Sequence, residues 1–99
     1  MKVKYLNLND GKTLSIQAGP TYYSSEPDPD GSYCLVEIGN IKNHSMPDYL
    51  LPYREEPVLN FEVYRYVPAE LVVRMIEDFG GIASGYCPSL RVKKEKENE

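Results

Sequence analysis

The chain contains a single histidine, His44, and two cysteines, Cys34 and Cys87. One imidazole excludes every site that needs two, which removes most zinc and non-haem iron centres. Two thiols alone can build neither a four-cysteine zinc site nor an iron–sulfur cluster. They can form one disulfide, but without a secretory leader at the N-terminus the reduced, cytoplasmic state is expected. Cys34 lies in an apolar run, where a free thiol behaves as a small buried hydrophobe. No apolar run reaches the roughly 18 residues of a membrane span. Phosphate-cradling glycine loops, the nucleophile elbow and H-E-x-x-H are all missing. No nucleophile is identifiable beside His44, and catalysis normally needs two or three convergent groups. The expectation is therefore a protein that is not an enzyme, with no cofactor and no metal.

Positive charge is also scarce. Eleven basic residues face 15 acidic ones, for a net charge of -4. The tail 93–99 carries three lysines and three glutamates, so the whole excess sits on residues 1–92, with 8 basic against 12 acidic residues. That balance argues against direct nucleic-acid binding, which needs a basic patch.

With 99 residues and 41% hydrophobic content, the chain fits one folded domain over 1–92 plus the charged tail 93–99. Residues 2–8 read as a strand, Asp10-Gly11 as a hairpin turn and 12–18 as the partner strand. A two-residue turn there pairs position i with 21 minus i. That register places Val3, Tyr5, Asn7, Leu14, Ile16 and Ala18 on the core face and leaves Leu6 and Leu8 outward. Residues 19–31, with three prolines and two glycines, read as a loop. A strand over 32–39 follows, then an irregular connector over 40–57 with a short helical turn near Asp48–Leu51. Residues 58–66 alternate as a strand, with Leu59, Phe61 and Val63 inward and Asn60, Glu62, Tyr64 and Tyr66 outward. Pro68 opens a helix over 68–79, with the stripe Leu71, Val72, Met75, Ile76 and Phe79 facing the core. Gly80-Gly81 stops it, and 86–92 reads as a last edge strand. The expected fold is α+β: a small, mostly antiparallel sheet of four or five strands in the order β-β-β-β-α-β, with one amphipathic helix on one face.

The nine tyrosines are the strongest functional signal. Tyr22, Tyr23, Tyr49, Tyr53, Tyr64, Tyr66 and Tyr86 fall at loop, outward or edge positions. Tyrosine offers a rigid contact surface with a polar tip, which binding surfaces favour; the blander alternative is the rim of a small core. Glu26, Asp28 and Asp30 alternate with Pro27 and Pro29, so an extended acidic loop adjoins Tyr22-Tyr23 and can dock on a basic surface. A calcium loop does not fit this segment, because Gly31 stands one position short and Gly39 occupies the bidentate glutamate position. Arg54, Arg65, Arg74 and Arg91 are expected to pair with nearby carboxylates, such as Glu77 or Asp78 for Arg74.

These features point to a small non-enzymatic protein that inhibits or regulates a macromolecular partner, a protein or a ribonucleoprotein, by steric block or partial nucleic-acid mimicry. The contact residues assigned are Tyr22, Tyr23, Glu26, Asp28, Asp30, Tyr53, Glu55, Glu56, Tyr64 and Tyr66. The profile of small size, mild acidity and outward tyrosines resembles in type the inhibitors encoded by phages and mobile elements, including anti-CRISPR and related anti-defence proteins. It carries no family motif, so the resemblance assigns no residue a role. A second expectation is a homo-oligomeric sponge for a small nucleotide-like ligand, and a third is a structural subunit of a larger assembly. The sponge draws on the arginines, the tyrosines and an uncovered sheet face, and the structural subunit on the outward Leu6 and Leu8; the outward Leu6, Leu8, Tyr64 and Tyr66 would also support a homodimer through that face.

Overall fold

The computed structural model describes residues 4–55 and 60–92. Val3, Glu56, Leu59 and the tail 93–99 lie outside the described residues. Five strands form one antiparallel sheet: β1 (Leu6–Leu8), β2 (Thr13–Gln17), β3 (Leu35–Asn40), β4 (Glu62–Pro68) and β5 (Ile82–Gly85), in the spatial order β4-β3-β2-β1-β5. One helix, α1 (Ala69–Asp78), carries the chain from β4 at one edge to β5 at the other. This is the expected small α+β fold. A short 3-10 helix over Asp48–Tyr53 lies in the connector. Among the described residues, no helix is long and apolar enough to cross a membrane.

The helix follows its local signals. Pro68 precedes it, and the N–H of Ala69, unpartnered within the helix, donates to the Cys34 carbonyl at 2.9 Å. Val72, Met75 and Phe79 are buried, with Leu71 and Ile76 packed at their margin. Gly80 and Gly81 have φ of +89° and +92°. Their N–H groups donate to the Glu77 and Ile76 carbonyls at 3.0 and 2.9 Å, the Schellman closure of a helix end.

The hairpin differs from expectation by one residue. Leu8 N–H donates to the Lys12 carbonyl at 2.8 Å and Gly11 N–H to the Leu8 carbonyl at 2.9 Å, so Asn9, Asp10 and Gly11 form a three-residue loop. Gly11 is left-handed, at φ +97°. Leu6 therefore pairs with Leu14 and Asn7 with Thr13. A shift of one residue sends a strand's side chains to the other face. Leu6 and Leu8 are core residues, and Tyr5 is exposed. Burying each leucine contributes roughly 1.5–3 kcal/mol.

A second correction falls on β4. Val36 pairs with Val67 and Ile38 with Tyr64, so Arg65 and Tyr66 together oppose the single residue Glu37. This bulge resets the alternation, and Tyr64 and Val67 both reach the core face. Tyr64, read as outward from the sequence, is 2% exposed. Phe61 and Val63, assigned to the core, are partly buried, and Val63, directly before Tyr64, lies on the opposite face.

The last strand also moves. Residues 82–85 pair with β1, whereas 86–92 form no strand and touch the fold through a parallel bridge between Tyr33 and Leu90. At β1 and β2 the sheet face away from the core is polar. Thr13 Oγ1 donates to Asn7 Oδ1 at 2.9 Å, Asn7 Nδ2 to Ser84 Oγ at 3.1 Å and Gln17 Nε2 to Ser15 Oγ at 3.0 Å. Leu6, Leu8 and Tyr64, three of the four residues expected on an uncovered face, therefore line the core, and Tyr66 alone of the four stays exposed.

Candidate binding cleft

The β4 bulge and the loop after β2 build one site together. Opposite Glu37, the extra residue frees the Tyr66 N–H from the sheet ladder, and it donates to the Tyr23 carbonyl at 3.1 Å. The Tyr23 N–H donates to Glu37 Oε1 at 3.1 Å. Ser25 extends the attachment: its N–H donates to the Leu35 carbonyl at 3.0 Å and its Oγ accepts from the Leu35 N–H at 3.2 Å. Ser24 Oγ accepts from the Gly19 N–H at 2.9 Å and closes the loop on itself.

These bonds shape a surface cleft of about 390 Å³, lined by Gly19, Pro20, Tyr22, Ser24, Ser25, Glu26, Pro27, Tyr33 and Tyr66. The Tyr23 ring packs on Tyr66 with centroids 6.0 Å apart. The Arg65 guanidinium lies 5.2 Å from the Tyr23 centroid and pairs with Glu55. Tyr66 is 45% exposed and sits at φ +52°, a conformation a bulky side chain rarely adopts. Such strain costs about 1–2 kcal/mol and clusters at functional positions.

Of the residues assigned from the sequence, Tyr22, Glu26 and Tyr66 line this cleft, Tyr23 packs on Tyr66 beside it, and Glu55 reaches Tyr23 through Arg65. Tyr64 does not, because it is buried. Tyr53 is half-buried against the core cluster. Asp28 and Asp30 turn toward Arg91, at 3.4 and 4.0 Å. Asp30 Oδ1 accepts from the Ser32 hydroxyl at 2.6 Å and from the Ser32 N–H at 3.0 Å, and these bonds hold its carboxyl below the usual range. Tyr33 is absent from the residues assigned by sequence, which read it as part of a strand. Tertiary pairing with 89–91 holds it in the cleft wall: its N–H donates to the Ser89 carbonyl at 2.9 Å and its carbonyl accepts from the Arg91 N–H at 2.8 Å.

A polar network centred on buried Asn40 anchors the connector to the ends of β3 and β4. Asn40, fully buried, donates through Nδ2 to the His44 carbonyl at 2.8 Å and to Glu62 Oε1 at 3.1 Å, and accepts from the His44 N–H at 2.9 Å. Tyr64 donates to Glu62 Oε1 at 2.8 Å, and Arg54 pairs with Glu62 Oε2 at 3.1 Å. The Tyr64 hydroxyl, followed by the Asn40 amide and Arg54, holds the Glu62 carboxyl below its ordinary range. A depressed carboxyl stabilises the fold above its unfolded-state pKa, and that contribution is lost as pH falls through the folded-state value. Below about pH 5, stability should therefore decline more steeply in the wild type than in Glu62→Gln, and pH-resolved urea denaturation of the pair measures the difference. A parallel dependence in both would remove Glu62 from the acid response.

His44 and the two cysteines have defined surroundings. His44 Nε2 accepts from the Thr13 N–H at 3.0 Å. Cys34 Sγ lies 3.7 Å from Ser25 Oγ and is half-buried rather than fully buried. Burial pushes the Cys87 thiol up to about 11, far from a reactive thiolate. Among the described residues, no group of three or more His, Cys, Asp or Glu side chains could hold a metal ion. Comparison with protein-family models, curated proteins and solved structures finds no match to this chain.

Proposed function

We propose that the protein is a non-catalytic binding module that inhibits or regulates a macromolecular partner through the tyrosine cleft. One observation carries this reading: Tyr66, strained into the left-handed region by the bulge, presents a half-exposed ring beside Tyr22, Tyr33 and Glu26. A ring held there against a backbone cost fits an anchor residue better than a core filler. The occupied state of His44 and the inert Cys87 thiol support a binding role over catalysis. The mode of action is steric: the partner surface seated on the cleft is covered by the domain behind it.

Substitution of Tyr66 separates anchoring from folding. In an ordinary strand, glycine is less stable than alanine by roughly 0.5–1 kcal/mol. At Tyr66 the order should reverse, with Tyr66→Gly more stable than Tyr66→Ala by about 1 kcal/mol because glycine adopts positive φ freely. Both variants should bind the captured partner at least tenfold more weakly than the wild type, as should Tyr22→Ala. Denaturation curves and titration of the partner, recovered by tagged capture and native mass spectrometry, provide the two readouts. A folded Tyr66→Gly protein with wild-type affinity contradicts the assignment.

A further inference from the structure

We infer that the cleft seats a cation: an arginine side chain on an extended segment of the partner protein, held among Tyr22, Tyr33 and Tyr66 against Glu26. The inference rests on the reading of the cleft as the binding surface. It comes from a motif the molecule builds three times for itself. Lys12 lies 4.4 Å from the Phe79 centroid and 2.8 Å from Asp10. Arg65 lies over Tyr23 and pairs with Glu55. Arg74 lies 4.2 Å from the Tyr49 centroid, and the Tyr49 hydroxyl donates to Asp78 at 2.7 Å. Each set brings together an aromatic ring, a carboxylate and a cation; in the first two the cation pairs with the carboxylate, and in the third the ring's hydroxyl does. The cleft supplies the first two, from three tyrosines and Glu26, while no basic residue lines it. Among the described residues, Glu26 forms no ion pair.

Arginine fits better than lysine. Its planar guanidinium stacks on a ring face while its fork pairs with a carboxylate. Both internal sets that combine a tyrosine with a carboxylate use arginine. The cleft, at about 390 Å³, is at the lower end of ligand-pocket volumes and admits a side chain with its flanking backbone. An anionic ligand is disfavoured, because nucleic-acid phosphates would meet Glu26 with no lysine or arginine in the wall. The net charge of -4 attracts a basic segment and repels an acidic one.

Amide chemical shifts of the isotope-labelled protein test the assignment. N-acetyl-arginine N-methylamide is titrated against its neutral citrulline counterpart, with decathymidylate as a third probe. Saturable shifts at Tyr22, Ser24 and Tyr66 are expected with the arginine probe in the millimolar range, and about fivefold weaker binding with citrulline. Glu26→Gln should lower arginine binding to the citrulline level and leave citrulline binding unchanged. Equal affinity for the two amides, no saturable shifts at the cleft, shifts centred on Asp28–Asp30, or occupation of the cleft by the oligonucleotide would each overturn the inference. Loss of the partner by Tyr66→Gly, with no preference for arginine, would discard the cation and keep the binding surface. Retention of the partner by that variant would discard the surface itself.

Discussion

Tyr64→Ala should lower the unfolding free energy by about 4 kcal/mol, and Tyr64→Phe by roughly 1–2 kcal/mol. Tyr64 is 2% exposed and packs in the cluster that joins the sheet to α1. Truncation to alanine removes a ring from a close-packed interior and leaves a cavity that the sheet cannot collapse to fill. Phenylalanine keeps the ring and loses only the hydroxyl that donates to Glu62 at 2.8 Å, while Asn40 and Arg54 still hold that carboxylate. Urea denaturation of the three proteins measures both steps. If Tyr64 lay on the outer face, as strict alternation through β4 implies, the alanine variant would fall within about 0.5 kcal/mol of the wild type. The experiment therefore tests the phase of β4 ahead of the bulge as well as the packing.

Gly85→Ala should cost about 3 kcal/mol or more. Gly85 closes β5 against β1 at φ +100°. A Cβ there would stand 2.2 Å from the Tyr5 carbonyl oxygen and 3.1 Å from Leu6 Cα, both of them backbone atoms that no rotamer change can move aside. The strand must then separate from β1, which exposes Leu6 and Leu8 beneath it. Gly31→Ala is the matched control: its φ is +87°, but no atom lies within 4 Å of the added methyl. It should carry only the backbone penalty of about 1–2 kcal/mol. Equal losses in the two variants would show that β5 does not lie against β1 as described.

What is legible in the sequence divides along the range of the interactions. The helix follows from neighbours within a few positions: the proline before it, the apolar stripe along it and the glycine pair after it. The element order through α1 and the α+β class follow equally well from alternation and spacing. The faces do not. The face of β1 depends on whether Asp10-Gly11 closes a two- or a three-residue loop, and both loops suit that dipeptide. The face of β4 beyond Tyr64 depends on an extra residue opposite Glu37, which no local pattern announces. A one-residue register error in the hairpin turns Leu6 and Leu8 outward, and an inverted phase in β4, set by counting Leu59, Phe61 and Val63 as core, turns Tyr64 outward.

The site is legible to a similar degree. Tyr22, Tyr23 and Glu26 stand in one loop, and their residue types assign them together. The alternation argument that assigns Tyr66 fails at Tyr64 and holds at Tyr66 only because of the bulge. Tyr33 and the Arg65–Glu55 pair behind Tyr23 enter through contacts between segments far apart in the chain, so composition and periodicity do not reveal them.

The central claim, that the tyrosine cleft is the partner-facing surface, is tested most directly by hydrogen exchange of the protein alone and in complex with its captured partner. Binding at the cleft should slow exchange across residues 19–27 and at the bulge around Tyr66, with the outer edge of β5 unchanged. Protection confined to β5 or to the polar face of β1 and β2, with the cleft exchanging as in the free protein, would contradict it.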